Sequence, residues 1–109
     1  KTIMKLDEDG RPFFLVPENK LTVQELLGIH LIARHFAKIM DIQSIGTEYL
    51  SIKELAQLVG TKYDIAKTRL NEMNKQRIID KKTNGETSYK ITNTGINVIA
   101  DRILSKLDR

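Results

Sequence analysis

Side chains that can hydrogen-bond to nucleic acids recur along one side of a helical stretch in the second half of the chain. Asparagine can pair with adenine through two hydrogen bonds, lysine reaches guanine or a phosphate, and threonine can hydrogen-bond to a base or a phosphate. The same spacing also occurs on the solvent-exposed face of any amphipathic helix. The spacing alone therefore leaves open whether these residues bind nucleic acid or simply face solvent. The residues concerned are Lys67, Thr68, Asn71 and Lys75.

This stretch is predicted to be the second of two helices joined by a turn at Gly60, which can take a left-handed conformation. Ser51 and Glu54 have the spacing of a capping box for the first helix. Thr61 and Asp64 repeat that cap at the start of the second. The predicted apolar stripes are Ile52, Leu55, Ala56 and Val59 on the first helix, and Ala66, Leu70 and Met73 on the second.

A β-hairpin is predicted directly after the second helix, over residues 78–91. Its strands begin at Ile78-Ile79 and return at Tyr89-Lys90-Ile91, and Asn84-Gly85 between them is a strong hairpin signal. The hairpin carries three lysines that would contact a phosphate backbone. Two lie near its tip and one on the return strand: Lys81, Lys82 and Lys90.

Together, these features resemble the winged helix-turn-helix superfamily, most closely the MarR-like and small archaeal winged-helix DNA-binding regulators. The resemblance implies a mainly α fold with a small antiparallel β wing (α+β). It also implies a recognition helix at about residues 62–76 in the major groove and a wing at 78–91 on the DNA backbone. The residues that carry it are Glu54-Leu55-Ala56, Gly60, Leu70, Ile78-Ile79, Tyr89-Lys90-Ile91-Thr92 and Gly95.

Two residues depart from the pattern of that superfamily. Arg77 stands where glycine usually ends the recognition helix, so we expect a non-glycine residue with a positive φ there, at a cost of about 1 kcal/mol. Lys62 stands where a serine cap is common, and Thr61 is expected to replace it one residue earlier. Tyr63 and Lys62 are expected to reach a phosphate or an adjacent base.

The charge distribution favours nucleic-acid binding. The 109 residues carry a net charge of +4, and residues 61–92 alone contain eight Lys or Arg against four Asp or Glu. Residues 1–50 contain six against seven. A localised basic surface is typical of nucleic-acid binders. The alternative is a lysine-rich surface that reflects an AT-rich or thermophilic source.

Composition argues against several other classes of protein. There is no cysteine, and His30 and His35 are spaced so that they cannot share a metal on one helix face. We find no glycine-rich phosphate loop and no carboxylate pair in an apolar setting, so we predict no enzyme activity, no metal and no cofactor. No apolar run reaches about 18 residues and no signal peptide is visible, so we expect a cytoplasmic, nucleoid-associated protein.

The flanking segments are predicted to add a hairpin and two long helices. Residues 1–22 are interpreted as a hairpin and connector, with the end of an upstream region as an open alternative, and residues 23–109 as the winged helix-turn-helix domain. The first helix runs from Val23 to about Asp41 with a capping box at Thr22 and Glu25, and Gly28 inside it allows another helix to approach closely. Its predicted stripe is Leu26, Ile29, Ala33, Phe36, Ala37 and Met40; that of the last helix is Ile96, Ile99, Ala100, Ile103 and Leu107.

The two long helices are predicted to form a homodimer interface, because the first helix is apolar beyond one stripe. They could instead pack on each other within one subunit. The leading interpretation is a sequence-specific transcriptional regulator of double-stranded DNA, with no ligand named as effector; the alternative is a protein-interaction module of a transcription, replication or partition assembly. The predicted interface residues are Leu27, Leu31, Ile99, Ile103 and Leu107.

Overall fold

The computed structural model describes residues 4–6, 12–14, 18–40 and 46–107. In this part of the chain, α-helices dominate and a small antiparallel sheet joins them, so the α+β class is confirmed. The elements in chain order are β1 (Met4–Leu6), β2 (Pro12–Phe14), a 3-10 turn (Glu18–Lys20), α1 (Val23–Ile39), β3 (Leu50–Ser51), α2 (Ile52–Val59), α3 (Tyr63–Lys75), β4 (Ile79–Lys82), β5 (Ser88–Ile91) and α4 (Asn93–Leu107).

Two antiparallel sheets are present among the described residues. In the first, β1 pairs with β2, which confirms the predicted N-terminal hairpin; the turn that joins them lies outside the described residues. In the second, the strand order is β3-β5-β4, so β5 lies in the middle. The predicted hairpin is therefore confirmed as β4 and β5, with Gly85 at φ 79° in its turn.

Local capping signals set most of the helix ends. The capping boxes at Thr22 and Ser51 are both present, and Gly60 ends α2 in the left-handed region at φ 77°. The cap predicted at Thr61 is wrong. The N–H of Thr61 still donates to the carbonyl of Ala56 (3.0 Å), so Thr61 belongs to the end of α2. Lys62 caps α3 instead, without a side-chain hydrogen bond.

Helix α1 lies at the centre of the core, and the stripe predicted for it is only partly right. It packs against α2, α3, α4 and β5, so its first part is buried on more than one side. At its C-terminal end, Phe36, Ile39 and Met40 are 41%, 64% and 61% exposed, although Phe36 and Met40 were expected to be buried. The helix ends at Ile39, slightly before the predicted end.

The residues predicted to form a dimer interface lie inside one subunit. Leu27, Leu31, Ile99 and Ile103 are each 0% exposed in the single chain. That prediction is therefore wrong for these four, because their side chains already pack between the helices and offer no surface to a second copy. The side chain of Leu107 lies outside the described residues.

Two glycines, Gly28 in α1 and Gly95 in α4, permit close packing of neighbouring elements. A Cβ on Gly28 would lie 2.7 Å from Cγ1 of Ile99, so Gly28 allows α1 and α4 to approach as expected. A Cβ on Gly95 would lie 2.0 Å from the carbonyl oxygen of Ile78. The amide of Gly95 also donates to the hydroxyl of Thr92 (2.9 Å), so the Thr92 side chain caps the start of α4.

The turn between α3 and β4 is held in place by α4. Arg77 has φ 61°, as predicted from its position at the end of the helix. The hydroxyl of Thr92 lies within donating distance of the carbonyls of Arg77 (2.8 Å) and Ile78 (2.9 Å). These contacts fix the base of the hairpin relative to α3. None of the described helices is long and apolar enough to cross a membrane.

Candidate nucleic-acid interface

Helix α3 buries the predicted stripe and exposes the predicted polar face. Ala66, Leu70 and Met73 are each 0% exposed, so the helix can be oriented only one way on the core. The side of α3 turned away from them is open to solvent over about 20 Å, given a rise of about 1.5 Å per residue. The exposed polar residues predicted to bind DNA are Lys62, Tyr63, Lys67, Thr68, Asn71 and Lys75.

Thr68 contributes less to this face than its position suggests. Its hydroxyl donates to the carbonyl of Asp64 one turn earlier (2.9 Å), so the hydroxyl hydrogen is used within the helix. The oxygen can still accept a hydrogen bond. The carboxylate of Asp64, which is exposed on the same face, will repel any nearby phosphate.

The side chain of Asn71 accepts a hydrogen bond from a buried tyrosine. The hydroxyl of Tyr89 on β5 donates to Oδ1 of Asn71 over 3.4 Å, and Tyr89 is only 1% exposed. Burial raises the pKa of Tyr89, and the neighbouring Tyr63 raises it further, so Tyr89 remains a proton donor at neutral pH. With Oδ1 directed at Tyr89, the amide nitrogen of Asn71 is left to donate outwards.

Tyr89 joins the hairpin to the exposed face of α3. In the antiparallel register, Lys81 lies directly opposite Tyr89. Directly opposite residues share a face of the sheet, so Lys81 lies on the same face as Tyr89, whose hydroxyl contacts α3. We call Lys62, Lys67, Lys75 and Lys81 the basic surface; all four are exposed.

The other two predicted hairpin lysines lie on the opposite face of the sheet. Lys82 pairs with Ser88, and Lys90 pairs with Asp80, one position out of phase with the pair of Lys81 and Tyr89. Because successive residues of a strand point to opposite faces, Lys82 and Lys90 face away from Tyr89. The three lysines predicted as one group are therefore divided between two surfaces.

Tyr49, which sequence reasoning missed, contacts both of these lysines, and Glu48 lies next to one of them. The ammonium nitrogens of Lys82 and Lys90 are 5.1 Å and 5.5 Å from the centre of the Tyr49 ring. Lys90 is also 4.0 Å from Oε1 of Glu48, which lies 3.4 Å from Nδ1 of His35. Only the pairing of β3 with β5 brings this connector beside the hairpin, so no local signal could have indicated it.

The basic surface is not neutralised by neighbouring acids. Within the described part of the chain, none of its four lysines has a carboxylate within 4.0 Å. Arg69, by contrast, pairs with Glu72 at 2.8 Å, and Lys90 has Glu48 nearby. The four lysines of the basic surface are thus free of close ion pairs among the described residues, and the exposed Asp64 is the acidic residue that lies on the same face of α3.

A chain of polar contacts fixes α3 against the two long helices. Nη1 of Arg102 on α4 donates to Oε1 of Gln24 on α1 (3.1 Å). Nε2 of Gln24 in turn donates to Oε1 of Glu72 on α3 (2.9 Å), and the same oxygen accepts from Nη1 of Arg69 (2.8 Å). These contacts orient the part of α3 that carries Asn71 and Lys75.

The two histidines of α1 have different surroundings. Partial burial lowers the pKa of His30 on α1 to about 4, so this half-buried histidine is neutral at physiological pH. His35 is also half-buried and lies beside Glu48. In the described ranges, no group of three His, Cys, Asp or Glu side chains could hold a metal ion.

The exposed face of α3 and the adjoining hairpin form a surface that can bind a polyanion and hydrogen-bond to groups beside it. Comparison with known proteins adds no identification, because no protein-family model and no curated protein matches the chain.

Proposed function

We propose that the domain is a winged helix-turn-helix that binds double-stranded DNA as a sequence-specific transcriptional regulator. One observation carries the proposal: the exposed side of α3 combines Asn71 with lysines that have no carboxylate within 4.0 Å among the described residues, and this surface continues onto Lys81 of the hairpin. Helix α3 would enter the major groove, and the β4–β5 hairpin would lie on the backbone.

The order of elements supports the proposed fold. After the long helix α1, a short strand leads into two helices and a hairpin, and that strand joins the hairpin in one sheet. The left-handed Gly60 produces the tight turn between α2 and α3. Because α3 packs on α1 and α2 through one stripe only, its other side is free to enter a groove about 12 Å wide.

The residues have separate roles in this proposal. Asn71 reads a base edge through its amide, and Lys67 and Lys75 reach bases or phosphates from positions four residues to either side. Lys62 at the start of α3 and Lys81 on the hairpin contact the backbone, and Tyr63, which is 50% exposed, packs against a sugar or an adjacent base.

The proposal includes a homodimer that binds an inverted repeat. In such a complex, the half-sites would be centred about 34 Å apart, which is one turn of the duplex. The dimer contacts must come from side chains other than Leu27, Leu31, Ile99 and Ile103, because all four are buried within the subunit. A regulator of this kind would act in the cytoplasm, on the nucleoid.

Another observation favours a second candidate function, a protein-interaction module of a transcription, replication or partition assembly. Phe36, Ile39 and Met40 are exposed together at the end of α1. Exposed apolar side chains of this size are typical of protein contacts. Such a module does not require unpaired lysines on α3, so the DNA-binding measurement below separates the two functions.

The deciding experiment is fluorescence anisotropy with a labelled duplex of mixed sequence at several salt concentrations. We expect the logarithm of the affinity to fall linearly with the logarithm of the salt concentration, because bound lysines release counterions. Lys81→Ala should weaken binding to every duplex and reduce the slope by about one. Lys20→Ala, which removes an exposed lysine before α1, is the matched control and should change the slope little.

The base-reading role of Asn71 requires a second comparison. Asn71→Ala should relax the preference at one base pair, by about 1–3 kcal/mol of discrimination, and leave the salt slope unchanged. The measurement is selection of preferred sequences from a randomised duplex. An equal loss on all sequences would contradict this role. The regulator hypothesis itself fails if the wild-type protein binds no duplex at low salt.

A further inference from the structure

Tyr49 brings two lysines from different strands to one aromatic ring. Lys82 on β4 and Lys90 on β5 place their ammonium nitrogens 5.1 Å and 5.5 Å from its centre. Both lie on the face of the sheet directed away from Tyr89, as the pairing of Lys82 with Ser88 and of Lys90 with Asp80 requires. This group is therefore separate from the basic surface of α3.

The two ammonium groups repel each other, and the negative face of the tyrosine ring offsets part of that repulsion. A ring that attracts two cations also limits the conformations of two long side chains that would otherwise be mobile. An anion that contacts both lysines would be bound by charges that are already in position. Among biological anions, the phosphates of a nucleic-acid backbone are the ones that the proposed function supplies.

We propose that Tyr49 orders Lys82 and Lys90 into a clamp for a backbone phosphate of duplex DNA, on the outer face of the sheet. This inference rests on the proposed function and extends it, because it adds a backbone contact on the face of the sheet directed away from Tyr89 and Lys81. Tyr49 acts as a positioning residue: the lysines bind the phosphate, and the ring holds them in place.

Two carboxylates limit the strength of this clamp. Oε1 of Glu48 lies 4.0 Å from the ammonium of Lys90 and also 3.4 Å from Nδ1 of His35. Asp80 lies directly opposite Lys90 in the sheet and is exposed on the same face. An incoming phosphate must displace Glu48 from Lys90. We therefore expect Glu48→Gln to tighten DNA binding, by about threefold if one surface ion pair is lost.

The experiment measures the affinity of a labelled duplex for the wild type, Tyr49→Leu, Tyr49→Phe and the double variant Lys82→Gln, Lys90→Gln. Cation–π contacts at exposed sites predict that Tyr49→Leu weakens binding by about threefold to tenfold, whereas Tyr49→Phe, which retains the ring, binds like the wild type. The double variant should reduce the salt slope by about one to two units.

Combining the substitutions separates positioning from a structural role. If Tyr49 acts through the lysines, adding Tyr49→Leu to the double lysine variant will cause no further loss of affinity. A loss of similar size in both backgrounds would overturn the proposal, and so would wild-type affinity for Tyr49→Leu. The thermal unfolding midpoint of each variant checks that the fold is intact.

The failure of this inference can be distinguished from the failure of the proposed function. If the wild type binds the duplex and Lys81→Ala weakens it while Tyr49→Leu does not, only the clamp is wrong. If the wild type binds no duplex, both are wrong. Lys20→Ala again controls for the loss of one positive charge elsewhere on the molecule.

Discussion

At the residue scale, the side chain most directly tied to sequence preference is Asn71, and its orientation depends on Tyr89. The hydroxyl of Tyr89 donates to Oδ1 of Asn71 (3.4 Å), which leaves the amide N–H groups to point outwards. An asparagine that presents both donors favours acceptors such as O6 and N7 of guanine or O4 of thymine. The amide oxygen is then poorly placed to accept from adenine.

Tyr89→Phe tests this orientation. It removes the hydroxyl and keeps the buried ring, so we expect the fold to persist, with a loss of stability of about 1 kcal/mol for the hydrogen bond. Without that hydrogen bond, the side-chain amide of Asn71 can flip by about 180°. The base preference at its position should therefore broaden to include adenine. Selection from a randomised duplex measures this, with Asn71→Ala as the reference. An unchanged preference would show that Tyr89 does not orient Asn71.

The sequence predicted which residues of α3 are exposed, but not the hydrogen bonds that those residues make with other elements. The exposure of Lys67, Asn71 and Lys75 followed from helical periodicity, which depends only on neighbouring residues. The contact between Asn71 and Tyr89 spans 18 positions and depends on how the tertiary fold places β5 relative to α3. Spacing along the chain cannot specify such a contact.

At the scale of elements, the helix starts and the hairpin were predictable because short-range signals determine them. Capping boxes and a hairpin turn need only a few adjacent residues, and those at Thr22, Ser51 and Asn84-Gly85 are all present. The buried faces of α1 were not predictable from one stripe, because three helices and β5 surround this helix. A central helix is therefore apolar for reasons unrelated to a second subunit.

The turn from α3 to β4 gives a prediction of stability. Arg77 has φ 61°, a conformation that costs a residue with a Cβ about 1 kcal/mol relative to glycine. We expect Arg77→Gly to be more stable than Arg77→Ala by about this amount, as both variants lack the charge. Urea unfolding of the two variants measures the difference. Equal stability would contradict the strain assigned to this position, because the hydrogen bond from Thr92 goes to a backbone carbonyl that both variants keep.

The crossing of α1 and α4 gives a second prediction of stability. Gly28→Ala would place a Cβ 2.7 Å from Cγ1 of Ile99, so the fully buried side chain of Ile99 would have to shift. Despite the better helix propensity of alanine, we expect a loss of about 1–3 kcal/mol from overpacking. Gly46→Ala is the control, since nothing lies within 4 Å of its added Cβ. Urea unfolding should show a loss for Gly28→Ala alone.

At the scale of the whole molecule, charge and hydrophobic packing are divided between two regions. The apolar core contains side chains from all four α-helices and from the sheet, and the basic surface lies on the exposed side of α3 and on β4. The sequence indicated the excess of charge from 61 to 92. It could not indicate that the hairpin lysines divide between two faces, because the phase of the strands relative to α3 is set by packing.

The packing around α1 also makes the stability of the whole molecule depend on pH. Burial lowers the pKa of His30 from 6.5 to about 4. The unfolded chain therefore binds a proton at His30 between these pH values and the folded chain does not. The stabilisation is present above pH 6.5 and is lost as the pH falls towards 4, which amounts to roughly 2–3 kcal/mol by pH 4.5.

His30→Gln should remove this part of the acid sensitivity. For each protein, urea titrations give the free energy of unfolding at pH 7.5 minus that at pH 4.5. Because carboxylates also contribute to acid unfolding, this value is compared between the variant and the wild type. Because glutamine does not titrate, we expect this difference to be smaller in His30→Gln than in the wild type by roughly 2 kcal/mol. His35→Gln, beside Glu48, is the matched control and should retain the loss due to His30. If both variants lose stability with acid as steeply as the wild type, the proton uptake must occur at other groups. The prediction that His30 makes stability depend on pH would then be wrong.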